Sequence, residues 1–388
     1  MPDLLEPRTD VRVVLLAPFI HSYRVPLFEE LGKRVNDLHI LVSTILRPRD
    51  RRPAEWSRLD VEVQHRLSVQ RVRRHPGGFD EPFAIHVPYD TLWRLLRYRP
   101  DVVIAHEMGP RTLQAILYKL LDRRCRVIVW ATVSERNERG RGRLRELARR
   151  WILRHADAVL VNGASGERYI RGFGVPVARL YHVPYTAATG APEHPPARRE
   201  GLPQRLLYVG QLAERKGLRP FVDALSTWAR EHPDREMEFR LVGRGPLRDE
   251  VASLALPQNL AVRLLDAIPN DQLPDVYAAA DVFCFPTLSD EWGVVVNEAL
   301  TAGVPVLGSV YSQAVEELIT DGATGWLFRP DDTSDMRRAL DAALSTPRQR
   351  LCRMGRRGQL SIRMLSPDRI AGRIAQAVAD VAPPSAGS

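Results

Sequence analysis

The segment FPTLSDEWGVVVNEALTAGVPVLGS, residues 285–309, decides how this chain reads. It starts at the end of an apolar run, DVFCF (281–285), that reads as a buried strand. A loop with Asp290, Glu291 and Trp292 follows. Val294 to Leu300 then has helix-compatible apolar content, closed by Gly303 and Pro305, and VPVLG (304–308) reads as the next strand. Strand, loop, short helix, strand is the repeating unit of a parallel sheet. Glu298 sits inside that helix, between Asn297 and Ala299. A carboxylate buried there without a partner is costly.

The same alternation runs outward in both directions. RLLYV (205–209), MEFRLV (237–242) and LAVRLL (260–265) are strand-like runs separated by helical patterns. Upstream, RVVLLA (12–17), LHILVS (38–43), DVVIA (101–105), RVIVW (126–130) and DAVLV (157–161) alternate with helices, among them TLWRLLRY, 110–121 and a basic helix ending at His155. Short continuous apolar strands of this kind belong to parallel sheets covered on both faces. The periodicity stops in TAATGAPEHPPARREGLPQ (186–204), a Pro- and Gly-rich interdomain linker. At 388 residues the chain suits two cores rather than one. The expected fold is α/β: two Rossmann-like doubly wound parallel-sheet domains, 1–185 and 205–365, facing across a cleft, with a terminal helix and tail over 366–388. The cleft is the default site.

With 44% hydrophobic residues the chain is globular. Cys125, Cys284 and Cys352 lie far apart with no CxxC, which speaks for a reducing compartment and against structural zinc or a disulfide framework. MPDLLEPRTD lacks a signal-peptide pattern, and no apolar stretch approaches the roughly 20 residues that span a bilayer. A cytoplasmic protein is expected. The net charge of +9 is uneven, because Lys119 to Arg154 holds twelve basic residues against four acids. Such a patch suits a solvated helix face, a phosphorylated acceptor, nucleic acid or peripheral contact with a membrane through 139–155. Leu144, Leu147, Ala148 and Trp151 fall on one helix face, and a stripe like this ordinarily packs onto a sheet.

Three loops after strands open onto one crevice. In YVGQLAERKG (208–217), Gly210 allows a tight turn, and Lys216 stands at a helix start where a lysine suits a phosphate. In LVGRGP (241–246), Gly243 and Gly245 bring backbone to the same place, though the motif taken alone reads better as an ordinary strand-to-helix turn. In the opening segment, a helix beginning near Gly293 leaves the amides of Val294, Val295 and Val296 unpaired, and the helix dipole favours an anion there. Glu298 lies about 7 Å farther along the axis at 1.5 Å per residue. That separation fits a phosphate at one end of a ligand and a sugar diol farther in, with Asp290 free to hold a second sugar. Alternatively Glu298 pairs with an arginine and Asp290 caps the helix.

These motifs, taken in order, resemble the GT-B fold glycosyltransferases of family 4, with acid, seven residues, acid, then Gly-x-Pro and a strand. YSQAVEELITDGATGWLFRPDD (311–332) continues the likeness, which covers the C-terminal half throughout. PFIHSYRVPLFEEL (18–31) and RPDVVIAHE (99–107) are similar to members of the group more loosely. The resemblance implies a retaining hexosyltransferase that moves a sugar from a UDP or GDP sugar to a hydroxyl of a small-molecule, glycan or lipid-linked acceptor, with no further cofactor. The N-terminal domain would bind the acceptor, the C-terminal domain the donor, and segment 366–380 would be the family's last helix, crossing back to the first domain.

Carried over residue by residue, Glu298 is the ribose ligand, Asp290 the sugar ligand, Gly293, Val294 and Val295 the phosphate cradle and Lys216 the diphosphate lysine, with the base near Leu265 to Ile268. Gly210, Gln211, Arg215, Gly243, Glu291 and Trp292 complete the donor side. The chain departs from the family pattern at several points. Asp290 replaces a Glu, so Glu291 is drawn in, and Gln211 replaces an Arg, which Arg215 would offset. No His follows RVIVW, leaving His106 as a catalytic stand-in whose other reading is a structural hydrogen bond. Pro18-Phe19-Ile20-His21 replaces a glycine-rich loop, with Tyr23 and Arg24 as acceptor-side candidates. No metal is expected, since Asp331-Asp332 reads as a helix cap. An epimerase or phosphorylase of the same fold, or a basic nucleic-acid-binding protein, are the alternatives. A dehydrogenase lacks its GxGxxG.

Overall fold

A computed structural model of the chain describes residues 9–44, 56–74, 78–138, 142–186 and 204–383. Two compact units result. The first takes in the elements up to Thr186 together with the C-terminal helix Pro367–Val381; the second runs on to Met364.

The first unit is built on strands β1 (Thr9–Ala17), β2 (Val35–Val42) and β3 (Asp60–Val63), then a hairpin of β4 (Arg66–Arg74) and β5 (Asp80–Pro88). The strands β6 (Val102–His106), β7 (Arg126–Ala131), β8 (Ala158–Val161) and β9 (Leu180–His182) follow. The sheet order is β3-β2-β1-β6-β7-β8-β9, and every neighbouring pair is parallel. The hairpin stands apart as an antiparallel pair. Val13 lies opposite Val102, so the chain reverses its direction of winding between β1 and β6. Each residue of β6 and β8 is buried, which is what an unbroken apolar run in a doubly covered sheet requires.

The second unit contains β10 (Gln204–Val209), β11 (Met237–Val242), β12 (Leu260–Leu265), β13 (Val282–Phe285), β14 (Val306–Ser309) and β15 (Gly325–Phe328). Their order, β12-β11-β10-β13-β14-β15, is all parallel. Winding starts at β10, proceeds one way to β12, then crosses back to β13. The gap between the C-terminal ends of β10 and β13 is therefore the topological switch point, where doubly wound sheets bind ligands.

One expectation is corrected here. Helix Arg143–His155 does not lay its apolar stripe on the sheet. It buries Arg149, Ile152 and Leu153 and leaves Leu144, Leu147 and Trp151 exposed. Arg149 can occupy the inner face because the buried carboxylate of Glu138 lies 2.5 Å from its guanidinium. Residues 139–141 of the basic segment lie outside the described residues. No helix among them is long and apolar enough to cross a membrane.

Candidate active site

At the switch point of the second sheet, two loops meet. After β10 the ladder continues one step, with Gly210 N donating to Val242 O over 3.0 Å, and the chain then makes a single turn over Glu214–Lys216. Gly217 (φ +63°) follows, and a Cβ on it would stand 2.2 Å from Pro286 O, so only glycine lets this loop reach the one after β13. The two are stitched together by Leu288 N donating to Arg215 O over 2.8 Å and Thr287 Oγ1 to the same carbonyl over 3.2 Å.

That stitching sets Lys216 against Asp290. The ammonium of Lys216 is buried and makes a close ion pair with Oδ2 of Asp290, while its Nζ also lies 5.2 Å from the Phe285 ring centre. Arg215 Nη1 stands 3.9 Å from the same oxygen. Burial pushes the Asp290 carboxyl up, but Lys216, Arg215 and the Trp292 amide outweigh it and hold it below the usual carboxylate range. Asp290 is thus an ionised acid rather than a bare helix cap.

Helix Val294–Thr301 begins at Gly293, whose φ of +102° bends the chain sharply into the first turn. A Cβ there would lie 2.7 Å from the Phe285 ring. The amides of Val294 and Val295 have no acceptor among the described residues. Val296 departs from the expected trio, because its amide donates to Gly293 O over 2.9 Å. Trp292 also turns out differently from a ligand contact. Its side chain is buried, with Nε1 donating to Asn297 Oδ1 over 2.9 Å, and its carbonyl receives the Ser312 hydroxyl and Ala314 N. It anchors the loop from behind. Glu291 is exposed, and its carbonyl receives Gln313 Nε2 over 2.6 Å.

Glu298 has its partner, and it is no arginine. The phenol of Tyr277, on helix Leu273–Ala278, donates to Oε2 over 2.7 Å, and no cation approaches within ion-pair distance among the described residues. Burial pushes the Glu298 carboxyl up despite that hydrogen bond. Its second oxygen keeps its acceptor capacity. Tyr277, together with Ser312 and Gln313, went unnoticed in the sequence. The tyrosine lies in an apolar helical pattern that marks it only as core.

The remaining donor-side positions surround this constellation. Gln211 is exposed and Arg215 half-buried. Gly243 continues the ladder past β11, with its amide donating to Leu265 O over 3.0 Å, and Ile268 is half-buried beyond β12. Asp332 caps helix Thr333–Leu344, accepting from Ser334 N and Asp335 N, and no group of three or more metal-ligating side chains occurs among the described residues.

In the first unit, Arg24 is buried rather than open. Its guanidinium lies 4.8 Å from the Trp130 ring and 4.7 Å from the Tyr185 ring, and its Nη1 stands 3.0 Å from His106 Nε2. Tyr23 stacks on His21 at 4.9 Å. His106 is buried and packs edge-on against Trp130 at 5.5 Å. Burial first, then Arg24 and Arg111, drive the His106 imidazole well below its ordinary value, so it stays neutral and accepts from Arg24.

Family models for a "Glycosyl transferase 4-like domain" and for "Glycosyl transferases group 1" match residues 19–186 and 203–346. The D-inositol 3-phosphate glycosyltransferase of Nocardia farcinica is 30% identical over 55% of this chain and 50% of its own length. The GDP-mannose-dependent α-(1-6)-phosphatidylinositol monomannoside mannosyltransferase of Mycolicibacterium smegmatis is 32% identical over 52% and 56%. The chain thus matches about half the length of these curated relatives. The structure of Anabaena HepE in complex with UDP superposes with a TM-score of 0.72 at 14% identity, over 95% of this chain and 100% of that one. Two parallel-sheet units with these matches over both halves identify the chain as a member of the GT-B glycosyltransferases of the GT4 type.

Proposed function

We propose that this chain transfers a sugar from a nucleotide-diphosphate sugar, with UDP or GDP as the leaving group, to an acceptor hydroxyl, retaining the anomeric configuration. One juxtaposition carries the reading. Lys216, Asp290, the open amides of Val294 and Val295 and the half-free carboxylate of Glu298 all sit at the switch point of one sheet. A diphosphate fits the amides and Lys216. A ribose diol fits Glu298, whose two hydroxyl hydrogen bonds would each be worth about 1.5–3 kcal/mol if charge-assisted. The transferred sugar falls to Asp290.

The chemistry is electrostatic. Negative charge grows on the diphosphate as the glycosidic bond breaks, and fixed donors that already point there lower the barrier. The buried pair of Lys216 and Asp290 keeps the cation in place before the donor arrives. His106, neutral and engaged by Arg24, suits a structural part better than a proton donor. The leaving phosphate oxygen itself then takes the acceptor's proton on the face it departs from.

One relative is named for GDP-mannose and one similar structure holds UDP, so both nucleotides are candidates. A thermal-shift panel of UDP, GDP and their hexose conjugates tests the donor, since a ligand bound only by the folded state raises the melting temperature. Proton NMR of the product tests retention, and an inverted anomer would discard the same-face proton transfer.

A further inference from the structure

We infer that Glu107 is an acceptor-binding residue, a carboxylate that takes two neighbouring hydroxyls of a neutral polyol at the switch point of the first sheet. The inference rests on the transferase reading above. Winding in that sheet starts at β1, runs through β2 to β3, then crosses back to β6 on the other side of β1. Glu107 closes the motif RPDVVIAHE and directly follows the last residue of β6. It therefore stands at the C-terminal strand edge where a doubly wound sheet takes its ligand.

Its backbone is unusual. Among the described residues, Arg99 and Glu107 are the two that combine a side chain with a positive φ, +49° and +70°. Arg99 ends helix Thr91–Tyr98, where a left-handed residue is ordinary. Glu107 ends a strand instead. It is locked there by its amide, which donates to Trp130 O over 2.8 Å, and by the Thr112 hydroxyl, which donates to its carbonyl. Glycine or asparagine would hold this conformation with less strain, so the glutamate costs stability that its backbone role does not explain.

The surroundings of the side chain point to a ligand. Arg111 Nη1 lies 3.6 Å from Oε2 and His106 Nδ1 lies 3.9 Å from Oε1, so each attracts the carboxylate without hydrogen-bonding it. No other donor reaches it among the described residues. Both neighbours are buried and both carry an unpartnered N–H. Arg111 Nε has no acceptor, although Nη1 and Nη2 are fixed on His106 O and Ser43 Oγ, 3.3 and 3.2 Å away. His106 Nε2 accepts from Arg24, which leaves the proton of the neutral ring on Nδ1, also without an acceptor. The Glu107 side chain itself is 53% exposed. Positive groups thus lie behind a carboxylate whose lone pairs are all open to solvent. Such a group accepts two hydroxyls at once in charge-assisted hydrogen bonds. A phosphate would be repelled by Glu107, and an ammonium would meet the Arg111 guanidinium behind it, so a neutral polyol is the ligand that fits.

Saturation-transfer NMR of the full chain with methyl α-D-glucopyranoside, methyl α-D-mannopyranoside, glycerol and glucose 6-phosphate tests this. At least one neutral probe should bind the wild type. Glu107→Gly and Glu107→Asn should each weaken that binding about tenfold or more, yet melt at or above the wild-type temperature, because both residues tolerate the left-handed backbone. A merely structural glutamate would not give that opposition of stability and binding. Protection by UDP or GDP, read on the same samples, reports on the transferase reading by itself and should be equal in the three chains. The inference is overturned if no neutral probe binds the wild type, if both variants bind as it does, or if both melt lower. Glucose 6-phosphate bound in preference to the neutral probes, and still bound by both variants, would assign the buried arginines to an anionic acceptor and overturn it too.

Discussion

The phenol of Tyr277 donates to Oε2 of Glu298 over 2.7 Å and is the one protein donor that this carboxylate has among the described residues. Burial raises the acid above its ordinary value, so at neutral pH the free protein holds a carboxylate that folding disfavours. Replacement by the neutral isostere keeps the acceptor for Tyr277 and removes that cost. Glu298→Gln should therefore leave the free protein as stable as the wild type or slightly more so. It should also weaken binding of UDP or GDP by about 10- to 100-fold, the loss of charge-assisted hydrogen bonds to a ribose diol. Calorimetric titration beside a melting curve reads both. A variant that binds nucleotide like the wild type removes Glu298 from the site.

Lys216 and Asp290 differ from most ion pairs of this chain in being nearly desolvated. Lys216→Met should cost about 3–5 kcal/mol of stability, because Asp290 then stays largely desolvated with Arg215, 3.9 Å away, as its remaining cation. Adding Asp290→Asn should recover much of that loss. It should not restore turnover, expected to remain lower by a factor of about 100 or more for want of the diphosphate cation. Denaturant unfolding of the two single variants and the double variant, with initial rates, separates the two effects. Recovery of activity along with stability would make the pair structural.

The strands flanking the switch point were legible because a parallel sheet covered on both faces needs unbroken apolar runs, and RLLYV and DVFCF hold such runs, while MEFRLV alternates with half-buried Glu238 and Arg240. The first-unit hairpin β4–β5 was not, since RLSVQRVRR carries too many exposed charges to announce a strand. Lys216, Asp290 and Glu298 stood out because charged residues after buried strands are costly there without a purpose. Tyr277 and Trp292 could not be assigned from sequence, because an aromatic ring in an apolar pattern reads as core whether its polar atom faces a ligand, a carboxylate or a backbone carbonyl. The direction of the Leu144–Trp151 stripe was equally hidden. It depends on the buried pairing of Arg149 with Glu138, a contact between residues on a helix and on the loop before it.

Gly293 gives a third expectation. Its φ of +102° is one that side chains rarely adopt, and an added Cβ would press on the Phe285 ring at 2.7 Å and on Ser312 Oγ at 2.9 Å. Gly293→Ala should cost about 1–3 kcal/mol and tilt the first turn that presents the Val294 and Val295 amides. Nucleotide protection in a melting experiment should fall with it. The control is Gly322→Ala, also at positive φ but with open space around it, which should lose stability alone.

Acid should loosen the first unit through the imidazoles of half-buried His21 and buried His106. Burial and then Arg24 lower His21 to about 4, and burial followed by Arg24 and Arg111 holds His106 well below its ordinary value. In the unfolded chain both titrate near 6.5. Below that value the unfolded state binds protons that the folded state refuses, so stability is fully present above pH 6.5 and declines as pH falls toward 4. His21→Phe keeps the edge contact with Phe19 and the stack on Tyr23, 4.6 and 4.9 Å away, and removes one titrating group. Between pH 6.5 and 4 its melting temperature should fall less steeply than that of the wild type, while the two curves run parallel above pH 7. Equal slopes below pH 6.5 would mean that His21 is protonated in the folded chain, with its charge accepted beside the Arg24 guanidinium.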